Sequence, residues 1–200
     1  QDTLALLPTG GGKSICFQVP ALCMDGLCVV ISPLIALMKD QVENMRRVGI
    51  KATAIYSGMQ LEEIDYTLDS CLNGGYKFLY LSPERLLSEK VMKRIGRMRL
   101  CMIAVDEAHC ISQWGYDFRP PYLEIARVRE LHPNVPVLAL TASATQDVRD
   151  DIMKRLEFKK HVVFQKSFER KNLSYLVYKP EDKADRMVNL LKQMKGSAIV

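Results

Sequence analysis

The chain has 200 residues, of which 48% are apolar and 26% charged, and its net charge is +5. This composition is typical of a globular protein with one full domain and room for part of a second, and it excludes a disordered chain or a small disulfide-stapled one. No apolar run approaches the ~18 residues of a membrane-spanning helix, so we expect no membrane partner. The mildly basic charge is compatible with a polyanionic partner but does not demand one.

The six cysteines form no C-x-x-C pair and mostly lie in apolar stretches. Buried free thiols in a reducing compartment explain this distribution better than a metal site or a disulfide framework. We therefore expect an intracellular protein.

Short apolar, β-branched runs alternate with helical patterns along most of the chain. Several runs are apolar at consecutive positions, which is typical of strands covered on both faces. The alternation predicts an α/β fold, with a mostly parallel sheet and helices on both of its faces. The predicted strands cover 3–7, 27–32, 52–56, 77–81, 101–106, 136–141 and 161–165. The predicted helices begin at Lys13 and elsewhere cover 34–47, 61–71, 85–94, 122–131 and 146–156.

The pattern changes after residue 165. An extended stretch is followed by a helix over 182–194 and an apolar run over 197–200. We therefore expect a first domain over 1–166, a connector over 167–181, and the opening helix and strand of a second domain over 182–200. Because the chain starts in one strand and stops in another, we expect both domains to be truncated.

A glycine-rich loop, residues 8–14 (PTGGGKS), follows the first strand and opens a helix, like the back half of a Walker A loop. Consecutive glycines let backbone N–H groups surround a phosphate, Lys13 would reach the β- and γ-phosphates, and Ser14 would offer its hydroxyl to Mg²⁺. Leu7 stands where the full pattern has glycine, and a simple glycine-rich turn with an incidental lysine is the alternative. The predicted nucleotide-binding residues are Thr9, Gly10, Gly11, Gly12, Lys13 and Ser14.

An acidic segment, residues 106–109 (DEAH), follows the buried fifth strand. Asp106 is placed to complete a Mg²⁺ site with Ser14, and Glu107 to orient or deprotonate an attacking water. His109 would hydrogen-bond toward the γ-phosphate or toward a neighbouring loop. The alternative is a charged strand end that caps a helix, with His109 satisfied in the interior. We predict Lys13, Asp106, Glu107 and His109 as catalytic residues.

These segments resemble motifs of a known family. Residues 8–14, 106–109 and 141–145 (TASAT) are similar to motifs I, II and III of superfamily 2 helicases, and 110–120 (CISQWGYDFRP) resembles the aromatic-rich loop of RecQ DNA helicases. The segments 32–42 (SPLIALMKDQV) and 82–87 (SPERLL) extend the resemblance to nearly the whole chain.

The resemblance implies a RecA-like P-loop NTPase domain, the first motor domain of a 3′-to-5′ DNA helicase that uses ATP and Mg²⁺ in repair or recombination. Its partners would be single-stranded DNA and duplex junctions, with repair proteins as further candidates. Motif III would relay between the nucleotide and DNA sites, although chemistry alone indicates a polar turn with a helix cap at Thr145. The predicted coupling residues are Gln113, Thr141, Ser143 and Thr145.

Two features are predicted to contact DNA. In the aromatic-rich loop, rings beside Arg119 could stack on bases. The alternative is that these rings fill the core beneath the site. The family usually has histidine at the position of Tyr116. Two Ser-Pro pairs after strands could place helix N-termini along a phosphate backbone, although ordinary helix capping explains them equally well. The predicted DNA-binding residues are Ser32, Pro33, Ser82, Pro83, Trp114, Tyr116, Phe118 and Arg119.

Two alternatives remain open from the sequence. An RNA helicase of the same superfamily is one, and a nucleotide-dependent binding module without unwinding is another. The basic cluster between Lys90 and Arg99 is interpreted as a solvated face. Because the resemblance places an arginine finger outside these residues, and its loss lowers phosphoryl-transfer rates by about 10³–10⁵, we expect these 200 residues alone to be nearly inactive.

Overall fold

The computed structural model describes residues 1–8, 10–115, 117–166 and 173–199. The chain divides into two compact units, Gln1–Phe168 and Glu169–Val200. The boundaries expected at 166 and 181 stay predictions, and residues 167–172 of the expected connector lie outside the described part.

The first unit contains a parallel sheet, and its described residues supply seven strands. In spatial order these are β3, β4, β2, β5, β6, β1 and β7, and every neighbouring pair is parallel. Six of the strands are nearly continuous runs of buried residues because helices cover both faces, whereas β7, at one edge of the sheet, is mostly exposed. Their bounds are β1 Asp2–Leu6, β2 Leu27–Ile31, β3 Ala52–Ile55, β4 Phe78–Leu81, β5 Leu100–Val105, β6 Val137–Thr141 and β7 His161–Gln165.

Helices pack on both sides of this sheet, as the sequence predicts. Those of the first unit are α1 Lys13–Leu22, α2 Ile35–Arg47, α3 Leu61–Asn73, α4 Glu89–Ile95, α5 Ile125–Leu131 and α6 Gln146–Arg155. One face of the sheet packs against residues of α1 and α2, and the other against residues of α3 to α6. The α/β architecture with helices on both faces is therefore confirmed.

Two of the predicted helices are interrupted. The predicted helix over 85–94 is a 3₁₀ turn, Pro83–Leu87, followed by α4, and that over 122–131 is a 3₁₀ turn, Pro120–Glu124, followed by α5. The first interruption has a clear cause, because the Ser88 hydroxyl accepts a hydrogen bond from the Val91 N–H and starts a new helix. In α4, Lys90 and Arg94 pair with Asp65 and Asp69 of α3, which fits the interpretation of this cluster as a solvated face.

A buried ion pair fixes the start of β1, the strand that leads into the glycine-rich loop. The Asp2 carboxylate lies 2.8 Å from Arg129 and also accepts hydrogen bonds from the backbone N–H groups of Val137 and Lys159. Asp2 and Arg129 are at most 5% exposed, so removal of either would leave a buried charge without its counter-ion. Because the pair ties β1 to the β6 side of the sheet, it anchors the base from which the loop projects.

The second unit contains one described helix, α7 Lys183–Gln193, close to the predicted bounds. Its N-cap is Asp182, which accepts hydrogen bonds from the Ala184 and Asp185 N–H groups. The strand predicted over 197–200 is wrong for its described part, since residues 197–199 are exposed and not in a strand. A strand needs a neighbour for its backbone hydrogen bonds, and the described residues of this unit supply none.

Two further findings concern the described residues of both units. No helix among the described residues is long and apolar enough to cross a membrane. All six cysteines lie in the described part and are free thiols, four of them buried.

Candidate functional site

The glycine-rich loop follows β1 at the carboxyl edge of the sheet. Gly10 and Gly12 have positive φ angles of 77° and 80°, a conformation that residues with a side chain seldom adopt. Gly11 is constrained differently, because a Cβ there would lie 2.7 Å from the Pro8 carbonyl oxygen. All three glycines are therefore needed for the shape of the loop. Gly12 caps α1, so the unpaired N–H groups of the first helical turn face this loop.

The acidic segment begins where β5 ends. Asp106 is 8% exposed, and its carboxylate accepts hydrogen bonds from the Glu107 N–H at 3.0 Å and the Ser32 hydroxyl at 3.5 Å. Burial, reinforced by the neighbouring Glu107 carboxylate, raises the pKa of Asp106 above its ordinary value. Glu107 itself has φ 46° and ψ 47°, a left-handed conformation that is rare for glutamate and typical of functional sites.

The structure brings these two segments together. In the sheet, β6 separates β5 from β1, so the acidic segment and the glycine-rich loop lie two strands apart at the same edge. The Lys13 Nζ atom is 3.4 Å from Glu107 Oε1, and Glu107 Oε2 is 3.4 Å from His109 Nδ1. Three of the four predicted catalytic side chains are thus in direct contact, and the fourth, Asp106, adjoins them.

His109 connects the acidic segment to the turn after β6. Its ring is 4% exposed, and Nδ1 lies 3.0 Å from the Thr141 hydroxyl oxygen. That hydroxyl donates its single hydrogen to the Ser143 carbonyl, so the hydrogen between the ring and Thr141 is assigned to Nδ1. Burial lowers the pKa of His109, which favours the neutral ring. Of the two predicted orientations, the structure shows the one toward a neighbouring loop.

Thr145, at the end of the same turn, caps α6 by accepting a hydrogen bond from the Val148 N–H at 3.4 Å. The sequence prediction of a helix cap is confirmed. Ser143 donates its backbone N–H to Thr141, so the turn is held by its own hydroxyls. The role of these residues in coupling stays a prediction.

The aromatic loop extends away from the core. Trp114 is 77% exposed, so the alternative in which its ring fills the core is wrong. Arg119 pairs with Asp117 at 3.2 Å, which lowers the pKa of that carboxyl. At Gly115 a Cβ would lie 2.7 Å from the His109 carbonyl oxygen, so the loop passes directly over the acidic segment. Gln113 is exposed and Phe118 half-buried, whereas Thr9 and Tyr116 lie outside the described residues.

Only one of the two Ser-Pro pairs matches the prediction. α2 begins at Ile35 with Leu34 at its N-cap, and Ser82-Pro83 opens a 3₁₀ turn without a side-chain cap. The predicted placement, serine at the N-cap and proline at the first helical position, is therefore confirmed for Ser82-Pro83 at a 3₁₀ helix and wrong for Ser32-Pro33. Both serines are buried, and their backbone N–H groups already donate to the Leu81 and Ile55 carbonyls, so the unpaired N–H groups here belong to the start of α2. Contact of Ser32, Pro33, Ser82 and Pro83 with nucleic acid stays a prediction.

Three residues of the site have no role in the sequence analysis. Gln41 of α2 donates to the Ser14 hydroxyl at 2.7 Å and accepts from the Tyr80 hydroxyl at 2.8 Å. Tyr122, fully buried, donates to the Asp106 carbonyl at 3.0 Å, so it supports the acidic segment from below. A polar side chain at the border of the apolar stripe of α2 is the one sequence signal for Gln41, and nothing in the sequence pairs it with Ser14.

The chain is similar to a known family and to known proteins. The DEAD/DEAH box helicase family matches residues 1–151. The chain is 47% identical to the ATP-dependent DNA helicase RecQ of Bacillus subtilis over 94% of its length, and 42% identical to that of Haemophilus influenzae over 98%. It is 44% identical to the ATP-dependent helicase SGS1 of Saccharomyces cerevisiae over 90% of its length, which is 13% of that protein. It spans about a third of the two bacterial relatives, 32% in each case.

Solved structures show the same fold at low sequence identity. Mycobacterium smegmatis helicase Lhr, in a complex with ssDNA and AMP-PNP, matches with a TM-score of 0.65 at 18% identity, over 83% of this chain and 24% of Lhr. The DUF1998 helicase MrfA bound to DNA matches with a TM-score of 0.62 at 15% identity, over 83% of this chain and 24% of MrfA. The fold is therefore the RecA-like domain of helicases. With the family matched over residues 1–151, this chain belongs to the DEAD/DEAH box helicases.

Proposed function

We propose that this chain is the first motor domain of a RecQ-type ATP-dependent DNA helicase, which couples hydrolysis of ATP to 3′-to-5′ movement along DNA and to its unwinding. The observation that carries the proposal is the 3.4 Å contact between Lys13 of the glycine-rich loop and Glu107 of the acidic segment. It supports a single pocket formed by the two segments. The names of the relatives support DNA as the substrate and ATP as the source of energy.

Lys13 changes partner when nucleotide arrives. Its ammonium group pairs with Glu107 at 3.4 Å, and the phosphates of ATP would compete for it with a higher negative charge. Glu107 would then be released to orient the attacking water and to accept its proton. The N–H groups of residue 10 and residues 12–14 would bind the phosphate oxygens, and the dipole of α1 would favour their negative charge. The Gly11 N–H donates to the Pro8 carbonyl at 2.9 Å.

Ser14 and Asp106 suit a magnesium ion. Both offer the hard oxygen ligands that Mg²⁺ prefers, one neutral and one anionic. Asp106 is buried beside the Glu107 carboxylate, and its pKa is raised because burial and this negative neighbour outweigh the Lys13 ammonium, so the two carboxylates have a deficit of positive charge. A divalent cation would offset this deficit, so the donor set fits the ion. When bound, Mg²⁺ would neutralise charge on the β- and γ-phosphates.

The aromatic loop would bind DNA next to the nucleotide. A cleft of about 500 Å³ is lined by His109, Trp114, Gly115 and residues 142–145. A base stacked on Trp114 would therefore lie against the turn that His109 contacts through Thr141. This arrangement supports coupling between DNA binding and hydrolysis through Gln113, Thr141, Ser143 and Thr145. A DNA substrate, with six free thiols, also supports an intracellular location.

The proposal is tested by the ATPase rate of the full-length protein with single-stranded DNA or RNA added separately, together with a strand-displacement assay. We expect DNA to stimulate hydrolysis and ATP to drive displacement of a strand annealed to a 3′ single-stranded tail. Stimulation by RNA alone would assign the protein to the RNA helicases. Nucleotide binding without hydrolysis or displacement would leave a nucleotide-dependent binding module.

A further inference from the structure

The hydroxyl of Ser14 is held by a residue from a different helix. Gln41 lies in the second turn of α2, and its Nε2 atom donates to Ser14 Oγ at 2.7 Å. The two residues are 27 positions apart in the sequence, so the contact exists because α1 and α2 pack side by side on one face of the sheet. It joins the predicted metal ligand to a helix outside the glycine-rich loop.

Gln41 is in turn fixed from the core. Its Oε1 atom accepts a hydrogen bond from the Tyr80 hydroxyl at 2.8 Å and a longer one from Gln18 Nε2 at 3.3 Å. Tyr80 belongs to β4 and is 1% exposed, so its ring cannot move without disturbing the sheet. Burial raises the pKa of Tyr80, which keeps its hydroxyl a donor at neutral pH. A chain of two hydrogen bonds therefore runs from the core strand to Ser14.

The chemistry of a hydroxyl explains how these two hydrogen bonds can orient Ser14. A serine hydroxyl has one hydrogen and two lone pairs, and its side chain can occupy three rotamers. The hydrogen bond from Gln41 uses one lone pair and fixes the rotamer. One lone pair remains for a cation, and the hydrogen remains for a phosphate oxygen. The contact is thus compatible with a metal ligand and orients it before the ion arrives.

We infer that Gln41 is a positioning residue, which holds the Ser14 hydroxyl in the orientation that binds Mg²⁺, and that Tyr80 holds Gln41. The inference rests on the proposed role of Ser14. No hydrogen bond joins Gln41 to Asp106 or Glu107, whereas Gln41 donates to Ser14 at 2.7 Å, so it acts through Ser14. The alternative is that Gln41 merely joins α1 to α2, in which case its loss would lower stability without any specific effect on the metal.

The test measures nucleotide binding rather than hydrolysis. A fluorescent non-hydrolysable ATP analogue is titrated into the full-length protein, once with EDTA and once with increasing Mg²⁺. We expect Gln41→Ala to leave the affinity in EDTA within about twofold and to raise the Mg²⁺ concentration at half-saturation about threefold to tenfold, the range for one lost hydrogen bond. Tyr80→Phe, which keeps the ring, should also raise the Mg²⁺ concentration at half-saturation, but by a smaller factor.

Two comparisons make the result specific. Asn44→Ala removes an exposed amide from the same helix and should leave the Mg²⁺ dependence unchanged. In a protein that already carries Ser14→Ala, Gln41→Ala should have no further effect on Mg²⁺, because the group it positions is gone.

Three outcomes would overturn the inference. They are an unchanged Mg²⁺ dependence in Gln41→Ala, an equal shift in Asn44→Ala, or a full additional effect in the Ser14→Ala protein. If Gln41→Ala does not fold, as judged by its melting curve, Tyr80→Phe decides, and an unchanged Mg²⁺ dependence there overturns it. A wild-type protein whose affinity does not respond to Mg²⁺ would overturn the proposed function and this inference together.

Discussion

At the carboxyl edge of the sheet, two regions differ in how they hold their side chains. One is the nucleotide half, formed by the glycine-rich loop and the acidic segment, and the other is the aromatic loop. In the nucleotide half, three predicted site residues have a side-chain partner: Lys13 has Glu107, Ser14 has Gln41, and His109 has Thr141. In the aromatic loop, Trp114 is 77% exposed and Gln113 is exposed as well. One half is ordered internally, and the other presents its surface outward.

The difference reflects two kinds of task. Phosphoryl transfer depends on groups held in place before the reaction, so their positions must be fixed by neighbours. Stacking on the bases of a flexible strand depends on an exposed ring and tolerates many sequences. We therefore expect substitutions in the first half to alter the chemistry of the site, and substitutions in the second to alter DNA affinity with little cost in stability.

The largest effect should come from Lys13→Ala. The substitution removes the charge that would meet the β- and γ-phosphates, and the loss of one such electrostatic group commonly costs about 10²–10³-fold in rate. We expect the DNA-stimulated ATPase rate of the full-length protein to fall by at least about 10²-fold, with a circular dichroism spectrum like that of wild type.

The matched control is Lys90→Ala. It removes an exposed lysine that pairs with Asp65 and lies outside the glycine-rich loop and the acidic segment. Its ATPase rate should match wild type. An ATPase rate in Lys13→Ala equal to that of Lys90→Ala would show that the glycine-rich loop is not the nucleotide site.

Trp114→Ala should have the next largest effect, and on a different quantity. Loss of one stacked base costs about 1–3 kcal/mol, which corresponds to a weakening of single-stranded DNA binding by about 5- to 150-fold. Basal hydrolysis without DNA should change by less than about twofold, because no hydrogen bond joins Trp114 to Lys13, Asp106 or Glu107 and its ring is exposed. Fluorescence anisotropy of a labelled oligonucleotide measures the affinity.

An exposed aromatic elsewhere serves as the control for Trp114. Tyr66 on α3 is 75% exposed, and Tyr66→Ala should leave DNA affinity unchanged. Equal losses of affinity in both variants would indicate that DNA contacts are spread over the surface. A fall in basal hydrolysis in Trp114→Ala would contradict the separation of the two halves.

The sheet and the two motifs could be predicted because their signals are local. Continuous apolar runs identify strands buried on both faces, and the seven predicted strands agree with the observed ones to within about one residue at each end. The glycines of residues 10–12 have conformational reasons that reside in the loop itself, two positive φ angles and one close approach. The meeting of Lys13 with Glu107 then follows from the rule that parallel strands share a carboxyl edge.

The features that sequence reasoning missed depend on contacts between distant residues. Gln41 and Ser14 meet because of how two helices pack, and no local pattern encodes that contact. Ser32 resembles an N-cap, yet its hydroxyl is directed to Asp106, since a tertiary partner competes with the local one. The interruption at Ser88 was missed because its capping signal lies inside a stretch that otherwise has the periodicity of one helix.

The smallest effect expected is a change in melting temperature, and here the two halves should differ in sign. The folded-state pKa of Asp106 is raised, so its proton is bound more tightly by the folded than by the unfolded chain, and stability is lost as pH rises through that pKa. At neutral pH, Asp106→Asn removes this cost. We expect a rise in melting temperature of a few degrees in EDTA, since about 1 kcal/mol corresponds to about 2–4 °C in a domain of this size.

Asp117, in the aromatic loop, provides the opposite case. Its pKa is lowered by Arg119, so its contribution to stability is present above the unfolded-state pKa and is lost as pH falls through the folded-state pKa. Asp117→Asn should therefore lower the melting temperature slightly at neutral pH, by less than the Asp106 variant raises it, because the pair is partly exposed. The Asp106 difference should shrink as pH falls through its raised folded-state pKa, where the wild-type carboxyl takes the neutral form that asparagine imitates. The Asp117 difference should shrink at lower pH, because the pKa of that carboxyl is lowered. A lower melting temperature for Asp106→Asn, or a difference that does not change with pH, would mean that Asp106 is already compensated in the empty protein. The deficit of positive charge beside the Asp106 carboxylate, which favours magnesium binding there, would then be absent.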